Sequence, residues 1–156
     1  MVKEIERKFL VNGNEWRNQA NGILYRQGYL STNIKRAVRI RTVGEEKAFL
    51  TIKALEQGAV RSEYEYEIPL PDAVSLLDEL CEYPLIEKKR YKINYEGLVW
   101  EVDEFFGENE GLIIAEVELS DENQVIAIPD WVGEEVTDDP RYLNANLVKN
   151  PYKSWK

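Results

Sequence analysis

Apolar and polar residues alternate with period two along most of this 156-residue chain, the mark of strands whose two faces meet different surroundings. Eight such runs fall near 2–11, 23–31, 36–43, 47–54, 60–69, 86–95, 98–106 and 112–120. Asn12-Gly13, Gly44 and Gly58 punctuate them, and Glu96-Gly97 predicts a tight hairpin between two strong strands. Residues 71–82 read as a helix, with Pro71 and Asp72 in its first turn and Val74, Leu77, Leu80 and Cys81 as its apolar stripe. Shorter helices are expected at 14–21, 121–127 and 140–148, with Asp121 and Gln124 as a weak capping pair. This pattern predicts a mainly β (α+β) fold in one domain over 1–156: an eight-stranded antiparallel closed barrel with helices packed outside.

The charges sort by face. Glu4, Glu6 and Lys8 alternate with Ile5, Arg7 and Phe9, and Arg39 and Arg41 share the face opposite Val38 and Ile40. Lys53 lies opposite Leu50 and Ile52, and Glu63 and Glu65 lie opposite Tyr64, Tyr66 and Ile68. Further on come Lys88 and Arg90, then Glu101 and Asp103, then Glu116 and Glu118. Many of these are like-charged pairs at i and i+2, about 7 Å apart on one face. At an effective dielectric of ~20 such a pair repels by roughly 2 kcal/mol. A solvated sheet face mixes in neutral polar residues. Faces of paired charge point instead to a closed lumen in which ligands or opposite charges answer them.

Lys8, Arg39, Arg41, Lys53, Lys88 and Arg90 then face Glu4, Glu6, Glu63, Glu65, Asp103, Glu116 and Glu118, so the lumen is nearly neutral although the chain carries −9. Carboxylates beside a cationic cluster suit a metal-bound polyanion. Hard Mg²⁺ or Mn²⁺ takes the carboxylates, and the Arg and Lys groups take phosphate oxygens. The chain has no histidine and one cysteine, Cys81, which excludes histidine-based catalysis, an internal disulfide and a multi-cysteine zinc cluster. The acidic surface argues against nucleic acid and membrane as partners. No run reaches the ~18 apolar residues of a membrane span. Met1 leads directly into charged sequence, so a cytoplasmic protein is expected.

Glu4-Ile5-Glu6-Arg7-Lys8 resembles the Glu-x-Glu-x-Lys signature of the triphosphate tunnel metalloenzymes, the CYTH superfamily. Arg39-Ile40-Arg41, Thr51-Ile52-Lys53, Glu63-Tyr64-Glu65, Lys88-Lys89-Arg90, Glu101-Val102-Asp103 and Glu116-Val117-Glu118 follow in order. Residues 137–142 with Asn144 resemble the family's C-terminal segment. The resemblance implies a tunnel that binds small-molecule triphosphates with divalent metal. It places Glu4, Glu6, Asp103, Glu116 and Glu118 on the metal side, and sets Lys8, Arg39, Arg41, Lys53, Lys88 and Arg90 on the triphosphate. Glu63 and Glu65 are metal ligands or orient the basic groups.

Lys8, Lys53 and Arg41 are the residues expected to act in catalysis. With no histidine, the proton acceptor is a metal-activated water, a carboxylate or a lysine driven toward neutrality by neighbouring cations, with Lys53 a candidate. Among the family's activities, the short chain points to inorganic triphosphatase. Class IV-type adenylate cyclase and thiamine triphosphatase are the alternatives, and a non-catalytic polyphosphate or nucleotide sensor is the alternative of another class. Tyr29 is expected either to close the tunnel mouth or to be a partly buried aromatic. Trp100 and Trp131 read as core or cover, and a homodimer is compatible with the aromatic-rich exterior.

Overall fold

The computed structural model describes residues 2–57 and 60–155; Gly58, expected to punctuate two strands, lies outside them. Eight strands close into a barrel: β1 (Val2–Val11), β2 (Ile23–Ser31), β3 (Ala37–Val43), β4 (Lys47–Gln57), β5 (Val60–Ile68), β6 (Ile86–Tyr95), β7 (Leu98–Phe105) and β8 (Ile113–Leu119). The order is β5-β4-β3-β2-β6-β7-β8-β1, and every neighbouring pair is antiparallel. Closure comes from the start of β1, where Val2–Ile5 pair with β5. Past that segment the same edge would lie bare. A short ninth strand, β9 (Val132–Glu135), fills it by pairing from Phe9 to Val11, as exposed strand edges require. With only four residues, β9 is too short to show as alternation in the sequence.

The predicted hairpin is present: Glu96 (φ 48°) and Gly97 (φ 80°) turn β6 into β7, both in the left-handed region that two-residue hairpin loops use. Helix α1 (Leu70–Glu79) lies outside, against β3 and β4. Its buried stripe is Ala73 and Leu77, continued just past the helix end by Cys81, packed with Ile40 and Ala48. Val74 and Leu80, expected in that stripe, are exposed, because Ala73 rather than Val74 lies a full turn before Leu77. Gly28 on β2 lets this layer approach: a Cβ there would sit 2.8 Å from Cys81 Cβ and from Leu85 Cδ2.

The other expected helices are shorter or absent. Residues 14–21 hold only a 3₁₀ turn, Glu15–Asn18, which seats Trp16 edge-on to Tyr91. Residues 121–127 are not helical. Gln124 turns back to accept from the Ser120 amide at 2.7 Å and hydroxyl at 2.9 Å, while Asp121 accepts from the Asn123 amide at 2.8 Å. Residues 140–148 split into a 3₁₀ turn, Pro140–Tyr142, and helix α2 (Asn144–Lys149). Helix α2 is not on the barrel's outside. Ala145, Leu147 and Val148 lie across one end, packed with Ile86, Phe105, Leu112 and Ile114. Trp100 and Trp131 are both in the core, with Phe9, Val102 and Val117. No described helix is long and apolar enough to cross a membrane.

Candidate active site

Alternation carries the charged faces inward. A cavity of about 210 Å³ fills the barrel and is lined by Glu4, Glu6 and Lys8 of β1, Arg39 and Arg41 of β3, Thr51 and Lys53 of β4, and Arg61, Glu63 and Glu65 of β5. Lys88 and Arg90 of β6, Glu101 of β7 and Glu116 and Glu118 of β8 complete the charged wall. Tyr29, Ile34, Ala37, Leu143, Asn144 and Ala145 close the end covered by the C-terminal segment. Seven cations face seven carboxylates. The balance expected from sequence holds, with two changes of membership: Arg61 joins, and Glu101 stands where Asp103 was expected.

Asp103 is enclosed rather than open to the cavity. Its side chain is 0% exposed and accepts from Arg90 Nε at 2.8 Å and Nη2 at 2.9 Å, with Lys88 Nζ at 2.8 Å. Two cations occupy both its oxygens, so a metal ion has no access to it. Burial opposes its charge, but Arg90 and Lys88 outweigh this and hold the carboxyl below its usual range. Glu101, two residues earlier and nearer the opening, faces the cavity and meets Arg90 at 3.3 Å.

The remaining carboxylates fall into two groups. Glu63 and Glu65 are engaged with the basic residues: Glu63 meets Lys53 at 3.4 Å, and Glu65 meets Arg41 at 3.5 Å and Arg39 at 3.7 Å. Thr51 ties this corner together, its hydroxyl accepting from Arg39 at 3.2 Å and donating to Glu65 at 3.0 Å. Glu4 meets Lys53 at 3.0 Å. Glu6 and Glu118 are poorly neutralised. Among the described residues Glu6 has Lys8 at 4.0 Å, and Lys8 sits closer to Glu116, at 3.2 Å. Burial first, then the charge of Glu116, pushes the Glu6 carboxyl up to about 7. Glu118 is raised as well, by burial and by Glu4, Glu6 and Glu101. An oxygen-only set of mutually repelling carboxylates fits a hard divalent cation. No three described acidic side chains converge as a ready-made cage, which matches a cation held by one or two carboxylates and completed by phosphate oxygens.

On the opposite wall the cations crowd. Burial, with Arg39 and Arg90 nearby, lowers Arg41 to about 10. Arg39 Nε and Arg41 Nε are buried without a hydrogen-bond partner among the described residues. Tyr25 holds two of these groups over its ring, Arg41 at 5.1 Å and Arg90 at 4.9 Å from the centroid. Lys53 departs from expectation, and Lys88 takes the place given to it. At Lys53, burial favours the neutral amine, yet Glu6, Glu4 and Glu63 outweigh burial and Arg39, and the pKa rises. Lys88, 1% exposed, is the lysine brought near neutrality: burial lowers it to about 8, against the pull of Asp103. Tyr29 is 4% exposed at the closed end of the cavity, a core aromatic rather than a mouth residue. Arg61, Tyr25 and Gln27 went unrecognised in the sequence. Arg61 had a signal, since it lies one period before Glu63 on the same face.

A family profile for the CYTH domain matches residues 2–152. A protein of Acetivibrio thermocellus named inorganic triphosphatase is 58% identical over 156 residues, covering 100% of this chain and 99% of its own. A second, from Nitrosomonas europaea and likewise named inorganic triphosphatase, is 38% identical over 151 residues, covering 94% of this chain and 97% of its own. The crystal structure of the inorganic triphosphatase NE1496 superposes with a TM-score of 0.68 at 36% identity, covering 95% of each chain.

Proposed function

The chain belongs to the CYTH domain family, and on that footing we propose that it is an inorganic triphosphatase, hydrolysing tripolyphosphate inside the barrel with a divalent metal ion. The observation that carries this reading is the crowding of Arg39, Arg41 and Arg90, which with burial lowers Arg41 to about 10, in the same cavity as under-neutralised carboxylates. Each half is electrostatically incomplete, and a metal-bound polyanion completes both. The cavity's volume of about 210 Å³ is below the ~300–1,000 Å³ of sites for drug-sized ligands. That favours a bare phosphate chain over ATP or thiamine triphosphate.

One or two of Glu4, Glu6, Glu116 and Glu118 would hold the ion, Mg²⁺ or Mn²⁺, with phosphate oxygens completing its coordination. When bound, it supplies charge neutralisation for the phosphoryl oxygens and acidifies the attacking water. Lys8, Arg39, Arg41, Lys53 and Arg90 grip the remaining oxygens and stabilise the diphosphate as the phosphorus–oxygen bond breaks, where a loose transition state places its charge. Asp103 orients Arg90 and Lys88, and Glu63 and Glu65 orient Lys53, Arg39 and Arg41. Lys88, held by Asp103 and Asn144, adds its charge to the same grip.

Phosphate release from tripolyphosphate, ATP and thiamine triphosphate, each with Mg²⁺, Mn²⁺ or chelator, tests the reading. Metal-dependent release fastest from tripolyphosphate is expected. Binding of all three without turnover would make the protein a sensor, and cyclic AMP with diphosphate from ATP would make it a cyclase.

A further inference from the structure

Beyond the charged strands, the cavity has a neutral polar contributor on another element. Asn144, the first residue of α2, lines the cavity's covered end. Its Oδ1 accepts from Lys88 Nζ at 3.1 Å and from Gln27 Nε2 at 3.0 Å. Both neighbours are almost fully enclosed, at 1% for Lys88 and 0% for Gln27. A protonated lysine can only donate, so the oxygen of Asn144 must face it and the amide nitrogen must face away. The carboxamide orientation is therefore fixed by chemistry rather than by choice between two similar atoms. Nδ2 has no hydrogen-bond partner among the described residues, and the side chain it terminates borders the tunnel. Beyond it, Ala145, Leu147 and Val148 pack with Ile86, Phe105 and Ile114 and fill the barrel's end.

We propose that Asn144 is a substrate-binding residue whose Nδ2 donates to a non-bridging oxygen of the terminal phosphoryl group beside Lys88, making the C-terminal segment the inner wall of the site. This rests on the triphosphatase reading and extends it to specificity. The group at that wall has packed apolar side chains behind it and no space for a nucleoside, so it must be an unsubstituted phosphoryl terminus. Lys88 and Asn144 then read the same phosphoryl group from adjacent positions, one by charge and one by a directed hydrogen bond.

Steady-state kinetics of Asn144→Asp and Asn144→Ala on tripolyphosphate, with thermal melting of each variant, test the proposal. Asn144→Asp keeps the shape and the acceptor for Lys88 but turns an oxygen toward the phosphate. Its KM should rise by about tenfold or more, the scale of one charge-assisted hydrogen bond lost, while its melting temperature holds or rises. Asn144→Ala should raise KM several-fold with a smaller change in kcat. KM within twofold of the parent for both variants, with melting temperature lowered, would overturn the proposal and leave Asn144 a packing residue. Should the parent protein release no phosphate, the triphosphatase reading falls by itself. Calorimetric binding of tripolyphosphate to the same variants then decides the Asn144 contact, and an unchanged Kd would refute it.

Discussion

Neutralising two buried carboxylates, Asp103 beside the lumen and Glu6 within it, should change stability in opposite directions. In Asp103→Asn, Arg90 loses a two-pronged partner at 2.8 and 2.9 Å and Lys88 loses one at 2.8 Å. Removing one member of a buried ion pair typically costs 3–5 kcal/mol, because the remaining charge is left uncompensated. Glu6 is the reverse case. Its carboxyl is raised from 4.5 to about 7, chiefly by burial and then by Glu116. At pH 8 it is ionised in both folded and unfolded chains, and ionisation costs more in the folded one. A shift of that size corresponds to about 3 kcal/mol, so Glu6→Gln should stabilise the metal-free protein by up to about that amount. Urea unfolding at pH 8 with chelator, followed by tryptophan fluorescence, reads both variants against the parent. A neutral or stabilising Asp103→Asn would show that Asp103 is not the anchor of Arg90 and Lys88. A Glu6→Gln that loses more than about 1 kcal/mol would show that Glu6 is already neutralised without metal, contrary to its raised pKa.

The other expectations follow from the same charges. Because the Glu6 pKa is raised, its contribution to metal-free stability is full below about 4.5 and is lost as pH rises through about 7. Metal should displace that proton, so calorimetry near pH 6 in buffers of different ionisation enthalpy should show proton release and weaker metal binding than at pH 8. Glu6→Gln should abolish metal-dependent turnover, whereas Arg41→Ala should chiefly raise KM for tripolyphosphate, by about tenfold; equal, small effects on both constants would dissolve that division of roles. Because burial lowers Lys88 to about 8, its charge is lost as pH rises past that value, so KM for tripolyphosphate should climb there and Lys88→Arg should lose that limb. A limb retained in Lys88→Arg would assign the titration to another group.

Much of the fold and charged lining was legible in the chain because strand alternation is a local property. Once Glu4, Glu6 and Lys8 share one strand face, no packing detail can separate them. All eight barrel strands and the Glu96-Gly97 turn follow from such short-range rules. The shorter elements did not. Residues 121–127 carry helix-compatible composition, but so short a helix is marginal by itself, and the side chains of Gln124 and Asp121, accepting from the Ser120 and Asn123 amides, settle a turn instead. Strand β9 forms because the edge of β1 beyond Ile5 has no other partner, a circumstance created by barrel closure.

The site divides in the same way. Which charges line the lumen was set by the sequence, apart from Arg61 and the exchange of Asp103 for Glu101. Which charges answer one another was set by tertiary structure, since the partners are far apart in the chain: Lys8 finds Glu116 at a separation of 108 residues, and Gln27 finds Asn144 at 117. Closure and strand stagger decide those distances. They leave Asp103 enclosed by two cations and Glu6 nearly unanswered, and they raise the pKa of Lys53 while lowering that of Lys88. Alternation specifies a side chain's face, but its electrostatic neighbours come from strands that meet only when the barrel closes.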